Sequence, residues 1–237
     1  MIVSAPFAGP VSFPLLVYKV LSGGKSSFEL RNSCENPQLG EVVLDSITNV
    51  AKLNVKGYSI VAGVYIRMYS LIGDKTKRPS KIFTIKQGTL ADYNARLYAV
   101  IRGINEVINT TADEAVKMAE AGKGIGLVGI EVKLGEIFED EMKTLGYLVP
   151  QCVIYAKINA SEVLKAYSEG IKMIREKPEE AAMIISSASK YYSLDIMRKI
   201  IGIYSHMLTT SKEELEKAIR VYSVVEPNVR DLKIEAK

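Results

Sequence analysis

Three glycines between residues 122 and 131 have the spacing of a phosphate-binding loop. The stretch GKGIGLVGIE places Gly124, Gly126 and Gly129 in the pattern G-x-G-x-x-G, which binds a dinucleotide pyrophosphate when a strand enters the turn and a helix leaves it. Here the order is reversed, because a helical pattern capped by Thr111 precedes the glycines and an apolar, strand-like run follows them. The sequence therefore predicts a helix end and a buried strand, and no dinucleotide site.

A second glycine turn has the order of elements that an anion site requires. The segment KIFTIKQG predicts a strand that leads directly to Gln87, Gly88 and Thr89, and Thr89 caps the helix that follows. The free amides and the dipole of a helix N-terminus attract anions with an energy on the order of 1 kcal/mol. An ordinary capped junction without a ligand fits the same residues equally well. These three residues give the strongest single binding signal in the sequence.

Polar residues also follow the predicted strands nearer the amino terminus. Ser12 stands before Phe13 and Pro14, so its hydroxyl and the amides after Gly9 can either bind a carboxylate or only cap a helix. The same two interpretations, ligand contact or turn residue, apply to the polar residues that end the next segments, which are Asn32, Ser33, Asp45 and Ser46.

Two charged residues stand within or directly after apolar runs. Arg67 interrupts the run IVAGVYIRMYSLI, so it must reach solvent or pair with an anion, which a carboxylate ligand would supply. Glu131 leaves the glycine-bounded strand and either faces a cleft as a hydrogen-bond acceptor or lies on the surface. The single histidine, His206, has no second histidine or paired cysteine beside it. We therefore predict no metal site, no cofactor and no catalytic residue.

The elements that must position these residues alternate between strand and helix over the first two thirds of the chain. This alternation predicts an α/β fold with a parallel or mixed sheet in each half. A charged turn at residues 75–80 is the expected first crossing between the halves. The predicted strands cover residues 1–7, 27–33, 58–72, 81–88, 125–132 and 149–158, and the predicted helices cover residues 13–21, 89–104 and 108–122. Residues 40–46 fit either a strand or a helix.

The last third of the sequence is predicted to be nearly all helical. Four segments carry an apolar stripe at helical spacing, and the last of them begins with the capping box of Ser211 and Glu214. Pro178 has the position of a proline in the first turn of a helix. The four segments are residues 161–176, 178–192, 194–208 and 211–225.

Composition excludes several classes of protein. The chain has 237 residues, of which 24% are charged, and its net charge of +4 is scattered without a basic block, so nucleic acid is not an expected partner. No run of about 18 apolar residues predicts a membrane span. The amino terminus lacks the basic region of a signal peptide, so we expect a cytoplasmic protein. Cys34 and Cys152 fall in different predicted lobes, and we expect both to be reduced.

Two segments resemble a known fold family. The string EVLKAYSEGIKMIREKPEEAAMII resembles the C-terminal helices of nitrate/taurine-type solute-binding proteins, in which a helix, a Lys-Pro-Glu-Glu-Ala-Ala passage and a second helix recur. The passage DEAVKMAEAGKGIGLVGIEV is similar to a second-lobe segment of type II periplasmic-binding-protein folds. The resemblance implies two lobes around a ligand cleft with a helical C-terminal return. Residues 1–80 and 158–237 would form the first lobe, and residues 81–157 would form the second.

A weaker resemblance points to an enzyme with the same fold. The run GPVSFPLL is similar to the opening of chorismate dehydratase of menaquinone biosynthesis, and LDSITNV resembles a later serine-isoleucine segment of that enzyme. The expected function is therefore the binding of a small organic anion by closure of two lobes, with a lyase of this type as the alternative. A membrane transporter or a second copy of the chain is the expected protein partner.

Overall fold

Two mixed β-sheets, each covered by helices, organise the chain. The computed structural model describes residues 1–24, 26–36, 38–77 and 79–235. In spatial order, the first sheet consists of β11 (His206–Thr209), β4 (Ser59–Ile66), β10 (Cys152–Ala156), β3 (Val42–Ser46), β1 (Ile2–Ala5) and β2 (Glu29–Asn32). In the same way, the second sheet consists of β7 (Glu106–Asn109), β6 (Lys81–Thr84), β8 (Ile125–Gly129), β5 (Tyr69–Ile72) and β9 (Glu136–Ile137).

The helices divide between the two sheets, and each sheet with its helices is called a lobe below. The first lobe contains α1 (Phe13–Leu21), α2 (Ile47–Leu53), α6 (Ser161–Glu176), α7 (Pro178–Ala188), α8 (Leu194–Ile200) and α9 (Lys212–Tyr222). The second lobe contains α3 (Leu90–Arg102), α4 (Ala112–Glu120) and α5 (Phe138–Thr144). Short 3-10 helices cover Pro10–Ser12, Lys75–Lys77 and Pro227–Asp231.

Strand direction places one edge of each sheet against the other. In the first sheet β1 is parallel to β2 and β3, and β10 is antiparallel to both β3 and β4, so the carboxyl ends of β1 to β4 share an edge. In the second sheet β6, β7 and β8 are parallel and also end at one edge. β4 ends at the first edge, and β5 begins at the second, where Tyr69 pairs with Gly129. The two carboxyl edges therefore meet, and we call the region between them the seam.

The glycine-rich stretch has the predicted conformation. α4 ends at Glu120, Gly122 lies in the left-handed region with φ of 71°, and β8 begins at Ile125. Thr111 caps α4, since its hydroxyl accepts the amide of Glu114 at 3.3 Å. The order of helix, glycine and strand is confirmed, so these glycines form no phosphate loop.

The paths between the lobes differ from the predicted crossing. The apolar stretch 58–72 forms two strands in different sheets, and the chain changes lobe at Arg67 and Met68, then returns between α5 and β10. The turn at residues 75–80 instead joins β5 to β6 within the second sheet, and Arg78 lies outside the described residues. The predicted domain boundaries at residues 80 and 157 therefore differ from the points where the chain passes between the two sheets. The division of the chain into two domains at those boundaries stays a prediction.

Three short strands were not predicted, and the shortest of them is the two-residue β9. β7 contains the sequence EVIN and β11 contains HMLT, each of four residues at the side of a sheet. The expectation that residues 194–208 are one helix is therefore wrong, because α8 ends at Ile200. Residues 40–46, which fit either element, contain β3.

One apolar core extends through both lobes. Buried side chains from both sheets, such as Val43, Ile60, Ile82 and Leu127, belong to the same cluster. Both cysteines are free, as expected, although both Cys34 and Cys152 follow or form strands of the first sheet rather than lying in different lobes. The continuous core implies that the lobes unfold together.

Candidate functional site

The loop after β1 reaches the seam but uses most of its own polar groups. The Ser12 hydroxyl is fully buried and donates to the carbonyl of Gly9 at 2.9 Å. Ser12 does precede α1 as predicted, yet its side chain makes no forward capping bond. The Asn32 side-chain oxygen accepts the amide of Phe7 at 3.1 Å. Ser12 and Asn32 therefore fix the shape of this loop, and a role in ligand binding stays a prediction for both, as it does for Gly9 and for Ser33, which follows β2.

Two residues near the carboxyl terminus hold the same loop from the other side. Tyr192 donates its hydroxyl to the carbonyl of Ala8 at 2.8 Å. The Nε2 atom of His206 lies 2.8 Å from the carbonyl oxygen of Pro10. Burial lowers the pKa of His206 to about 4, so the ring is neutral near neutral pH and donates one hydrogen bond to the loop. His206 thus holds this loop in place, and the expectation that it binds no metal stays a prediction.

Asp45 and Ser46 meet the seam at the end of β3. One carboxylate oxygen of Asp45 accepts the Ser46 amide at 2.7 Å and the Asn49 side-chain amide at 2.9 Å. Burial raises the pKa of Asp45 above its usual value, and the hydrogen bond from Asn49 offsets only part of this rise. The Ser46 hydroxyl caps α2 by accepting the amide of Asn49 at 3.1 Å. Both side chains therefore order the start of α2 at the seam.

The turn of Gln87, Gly88 and Thr89, which was predicted to bind an anion, is hydrogen-bonded to side chains of the protein itself. The Gly88 amide donates to the carboxylate of Asp92 at 2.9 Å, and the Thr89 hydroxyl accepts the Asp92 amide at 3.3 Å. From the other lobe, the ammonium group of Lys52 donates to the Gly88 carbonyl at 2.8 Å. Gln87 is exposed. The turn has the predicted order, but Asp92 fills the anion position beside Gly88.

Asp92 links this turn to the end of the neighbouring strand. Its carboxylate accepts the guanidinium of Arg96 at 3.1 Å and the side-chain amide of Asn109 at 2.8 Å. Burial raises the pKa of Asp92, but the bonds from Arg96, Gly88 and Asn109 outweigh burial and hold it below its usual value. Asp92 is therefore a charged positioning residue that the sequence analysis did not identify.

Glu131 faces the first lobe from the exit of β8. The hydroxyl of Tyr204, next to β11, donates to Glu131 Oε2 at 3.3 Å. The carboxylate folds over Gly129, where an added Cβ would overlap it, so only glycine accommodates this arrangement. Burial raises the pKa of Glu131 above its usual value, and the hydrogen bonds from its own backbone amide and from Tyr204 offset only part of this rise. Glu131 is partly buried at the seam, and a role for it in ligand binding stays a prediction.

A buried polar network connects the lobes where the chain passes between them. The side-chain amide of Gln151 donates to Glu139 at 2.7 Å and to the carbonyl of Ile66 at 2.9 Å. Asn94 of α3 donates to Gln151 at 2.8 Å and accepts the hydroxyl of Tyr222 at 2.7 Å. We call Asn94, Glu139, Gln151 and Tyr222 the hinge network. Because its members are buried and hydrogen-bonded to one another, it restrains the relative position of the lobes.

Arg67 takes its counter-ion from the protein. Its guanidinium lies 2.6 Å from the carboxylate of Asp140 in α5, and both side chains are exposed to solvent. This pair supplies an anion for one terminal nitrogen of Arg67, while the Nε atom is buried and has no hydrogen-bond partner among the described residues. A role for Arg67 in ligand binding stays a prediction.

The structure brings most of the predicted residues to the seam and adds several that were missed. The added residues that contact the predicted ones are Lys52, Asp92, Tyr192 and Tyr204. The tyrosines gave no signal beyond that of core or interface residues, because their partners are distant in the sequence. Among the described residues, no group of three or more histidine, cysteine, aspartate or glutamate side chains is arranged to hold a metal ion.

Two surface depressions lie at the sheet edges opposite the seam. One of about 520 Å³ is lined by Pro79, Arg102 and Asn105 at the amino ends of β6 and β7. Another of about 470 Å³ lies beside Gly57 and Ala156, at the amino edge of the first sheet. Neither contains the convergent polar groups of the seam. No helix in the described part of the chain is long and apolar enough to cross a membrane.

Solved structures resemble the chain along nearly its full length. A protein of Thermoplasma volcanium, provisionally described as a nitrate transport protein, is 43% identical and has a TM-score of 0.91, with 99% of this chain and 96% of that chain covered. An ABC transporter protein of Parabacteroides distasonis is 15% identical with a TM-score of 0.65, with 97% and 94% covered. The periplasmic aliphatic sulphonate binding protein of Escherichia coli is 10% identical with a TM-score of 0.63, with 98% and 88% covered.

The structures from Parabacteroides distasonis and Escherichia coli show a shared fold, whereas the Thermoplasma volcanium protein is also related in sequence. Among curated proteins, none matches the chain significantly. The two sheets, the two lobe changes and the helical return agree with the two-lobe fold of the sulphonate-binding neighbour. The predicted fold, of the type II periplasmic-binding-protein kind, is thus confirmed. The chain belongs to the family described as Protein of unknown function (DUF3834), whose model matches residues 1–207.

Proposed function

We propose that the protein binds a small organic solute in the seam between its two lobes. The observation that carries this proposal is the meeting of two carboxyl edges, since ligands of α/β proteins bind outside the carboxyl ends of strands. The related nitrate transport protein and the neighbouring sulphonate-binding protein support a role of this class by their descriptions. Solute entry would require the lobes to part, because Lys52 and Tyr204 already contact the opposite lobe.

The finer part of the proposal is that the solute carries an anionic group. Lys52 uses one donor for the Gly88 carbonyl, and an ammonium group has three donors, so two are left for a ligand. Its side chain also lies 4.9 Å from the centre of the Tyr93 ring, which fixes the cation at the seam. The cytoplasmic location and a transporter partner stay predictions.

Thermal unfolding with added solutes tests the proposal. Carboxylates, sulphonates and phosphates are added at millimolar concentrations, and the bound solute is expected to raise the Tm because it binds only the folded state. Lys52→Met is expected to weaken the binding of anionic solutes about tenfold, or by about 1.4 kcal/mol. Isothermal titration calorimetry measures this ratio of affinities.

Lys56→Met is the matched control, because Lys56 is exposed and lies in the turn after α2. This variant should bind the same solute with unchanged affinity. The proposal is contradicted if no solute raises the Tm, or if the two methionine variants bind the solute equally well.

A further inference from the structure

Glu131 differs from the other acidic side chains of the seam in its lack of partners. Asp92 accepts hydrogen bonds from a guanidinium and two amides, and Asp45 accepts two amides on one oxygen. Glu131 accepts one side-chain donor, the hydroxyl of Tyr204, and at 3.3 Å this bond is long; its own backbone amide is the other donor beside the carboxylate. No ion pair joins Glu131 to a lysine, an arginine or the histidine of the described ranges 1–24, 26–36, 38–77 and 79–235.

The surroundings of Glu131 are aromatic rather than cationic. Tyr204 and Tyr192 each pack edge-on against Phe13, with ring centres 5.3 Å apart in both pairs. All three rings are buried. A carboxylate that is partly withdrawn from water among such groups is stabilised by a counter-ion or by taking up a proton. Burial raises the pKa of Glu131, which agrees with the missing counter-ion.

The backbone provides space for this carboxylate. The side chain of Glu131 lies against Gly129, and any Cβ at that position would displace it. Glu131 is partly exposed at the seam, where it meets the first lobe through Tyr204. A donor that approaches from the seam can therefore reach the carboxylate, which has acceptor capacity beyond the single hydroxyl.

We propose that Glu131 binds a positively charged amine group of the solute, so that the solute is an amine or, with an anion near Lys52, a zwitterion. An ammonium group would supply the counter-ion that the described residues do not, and the aromatic rings would favour a weakly hydrated cation. This inference rests on the proposed binding of a solute in the seam, and it adds the chemical class of the second recognised group.

Two matched series of probes test the inference. The first series is the unbranched ω-amino acids from glycine to 6-aminohexanoate, and the second is the carboxylates of equal length without the amine. For the wild-type protein at pH 8, the best amino acid is expected to bind at least tenfold more tightly than its matched carboxylate, as measured by titration calorimetry. Glu131→Gln should abolish this ratio while leaving the affinity for the carboxylate within about twofold.

Glu162→Gln is the control variant, since Glu162 is exposed at the start of α6, which follows the amino-edge end of β10. It should keep the tenfold ratio. A second measurement needs no variant: the ratio for the wild-type protein should fall as the pH is lowered and Glu131 takes up a proton, because the amine stays charged throughout.

The outcomes separate the two proposals. If carboxylates bind but the amino acids bind no better, or if Glu131→Gln keeps the ratio, the amine inference is overturned while solute binding stands. If no member of either series binds at about 50 mM, and the carboxylates, sulphonates and phosphates of the thermal test also fail to raise the Tm, both proposals are overturned.

Discussion

His206 shows at the scale of one residue how burial couples protonation to stability. Its pKa of about 4 in the folded protein lies below the usual value near 6.5, because burial disfavours the charged ring. The unfolded chain therefore takes up a proton first as the pH falls. The contribution of neutral His206 is fully present above pH 6.5 and decreases as the pH falls to about 4. We expect this single residue to cost up to about 3 kcal/mol of unfolding free energy over that range.

Urea unfolding of the wild-type protein and of His206→Gln measures this effect. Glutamine retains a donor for the Pro10 carbonyl but does not titrate, so the wild-type protein should lose stability relative to the variant between pH 7 and pH 4. Groups such as Glu139, whose pKa burial raises to about 7, titrate in both proteins and cancel in the comparison. Parallel stability curves would show that His206 does not take up a proton on unfolding.

Local sequence patterns predicted some residue contacts of the candidate site but not the contacts between residues distant in the sequence. The spacing of Gln87, Gly88 and Thr89 after a strand predicted a capped turn, because that geometry depends on neighbouring backbone atoms. The same spacing could not reveal that Asp92 occupies the Gly88 amide. The contact between Glu131 and Tyr204 joins residues 73 positions apart, so local pattern contains no information about it.

At the scale of elements, the end of α4 depends on the backbone of Gly122. Its φ of 71° is favourable for glycine and strained for a residue with a Cβ. A Cβ there would meet no atom within 4 Å, so replacement tests the backbone alone. Gly122→Ala is expected to lower the free energy of unfolding by about 1 kcal/mol.

Gly202→Ala is the matched control for this prediction. A Cβ at Gly202 also meets no atom within 4 Å, but the φ of Gly202 is not in the left-handed region. Its replacement should change the stability by less than about 0.5 kcal/mol in either direction. Urea unfolding of both variants at one pH measures the difference, and equal losses would contradict the role assigned to Gly122.

Elements with a strong local signal were predicted well, and short strands were not. α3, α4 and α6 have caps or long apolar stripes, and each has the predicted location to within a few residues. β7 and β11 have four residues each, and most of their side chains are only partly buried. Their conformation comes from pairing with β6 and β4, a tertiary effect that overrides weak strand propensity.

At the scale of the whole molecule, the main feature is the set of connections between the two lobes. The alternation of elements predicted an α/β sheet in each half, and the resemblance in sequence implied the two lobes. The lobe changes depend instead on which strands pair, because one apolar run can supply strands to two sheets. The hinge network then adds polar contacts that a sequence pattern cannot reveal. It connects α3 of the second lobe to Gln151, directly before β10, and to α9 of the first lobe, and a further bond joins Tyr93 to Glu226 at 2.6 Å.

Asn94 is the member of this network whose loss should loosen the lobes most. It is fully buried, and Asn94→Ala would leave the Gln151 oxygen and the Tyr222 hydroxyl without these partners. A buried polar group that loses its partner costs about 1–3 kcal/mol, so we expect a loss of about 3 kcal/mol in stability.

Hydrogen exchange should accelerate in α3 and α9, on both sides of the seam, more than in β1 and β3. Asn105→Ala, at an exposed turn, should change neither quantity. If exchange in α3 and α9 stays at the wild-type rate while stability falls, Asn94 stabilises its own helix alone and the lobes are joined by the apolar core.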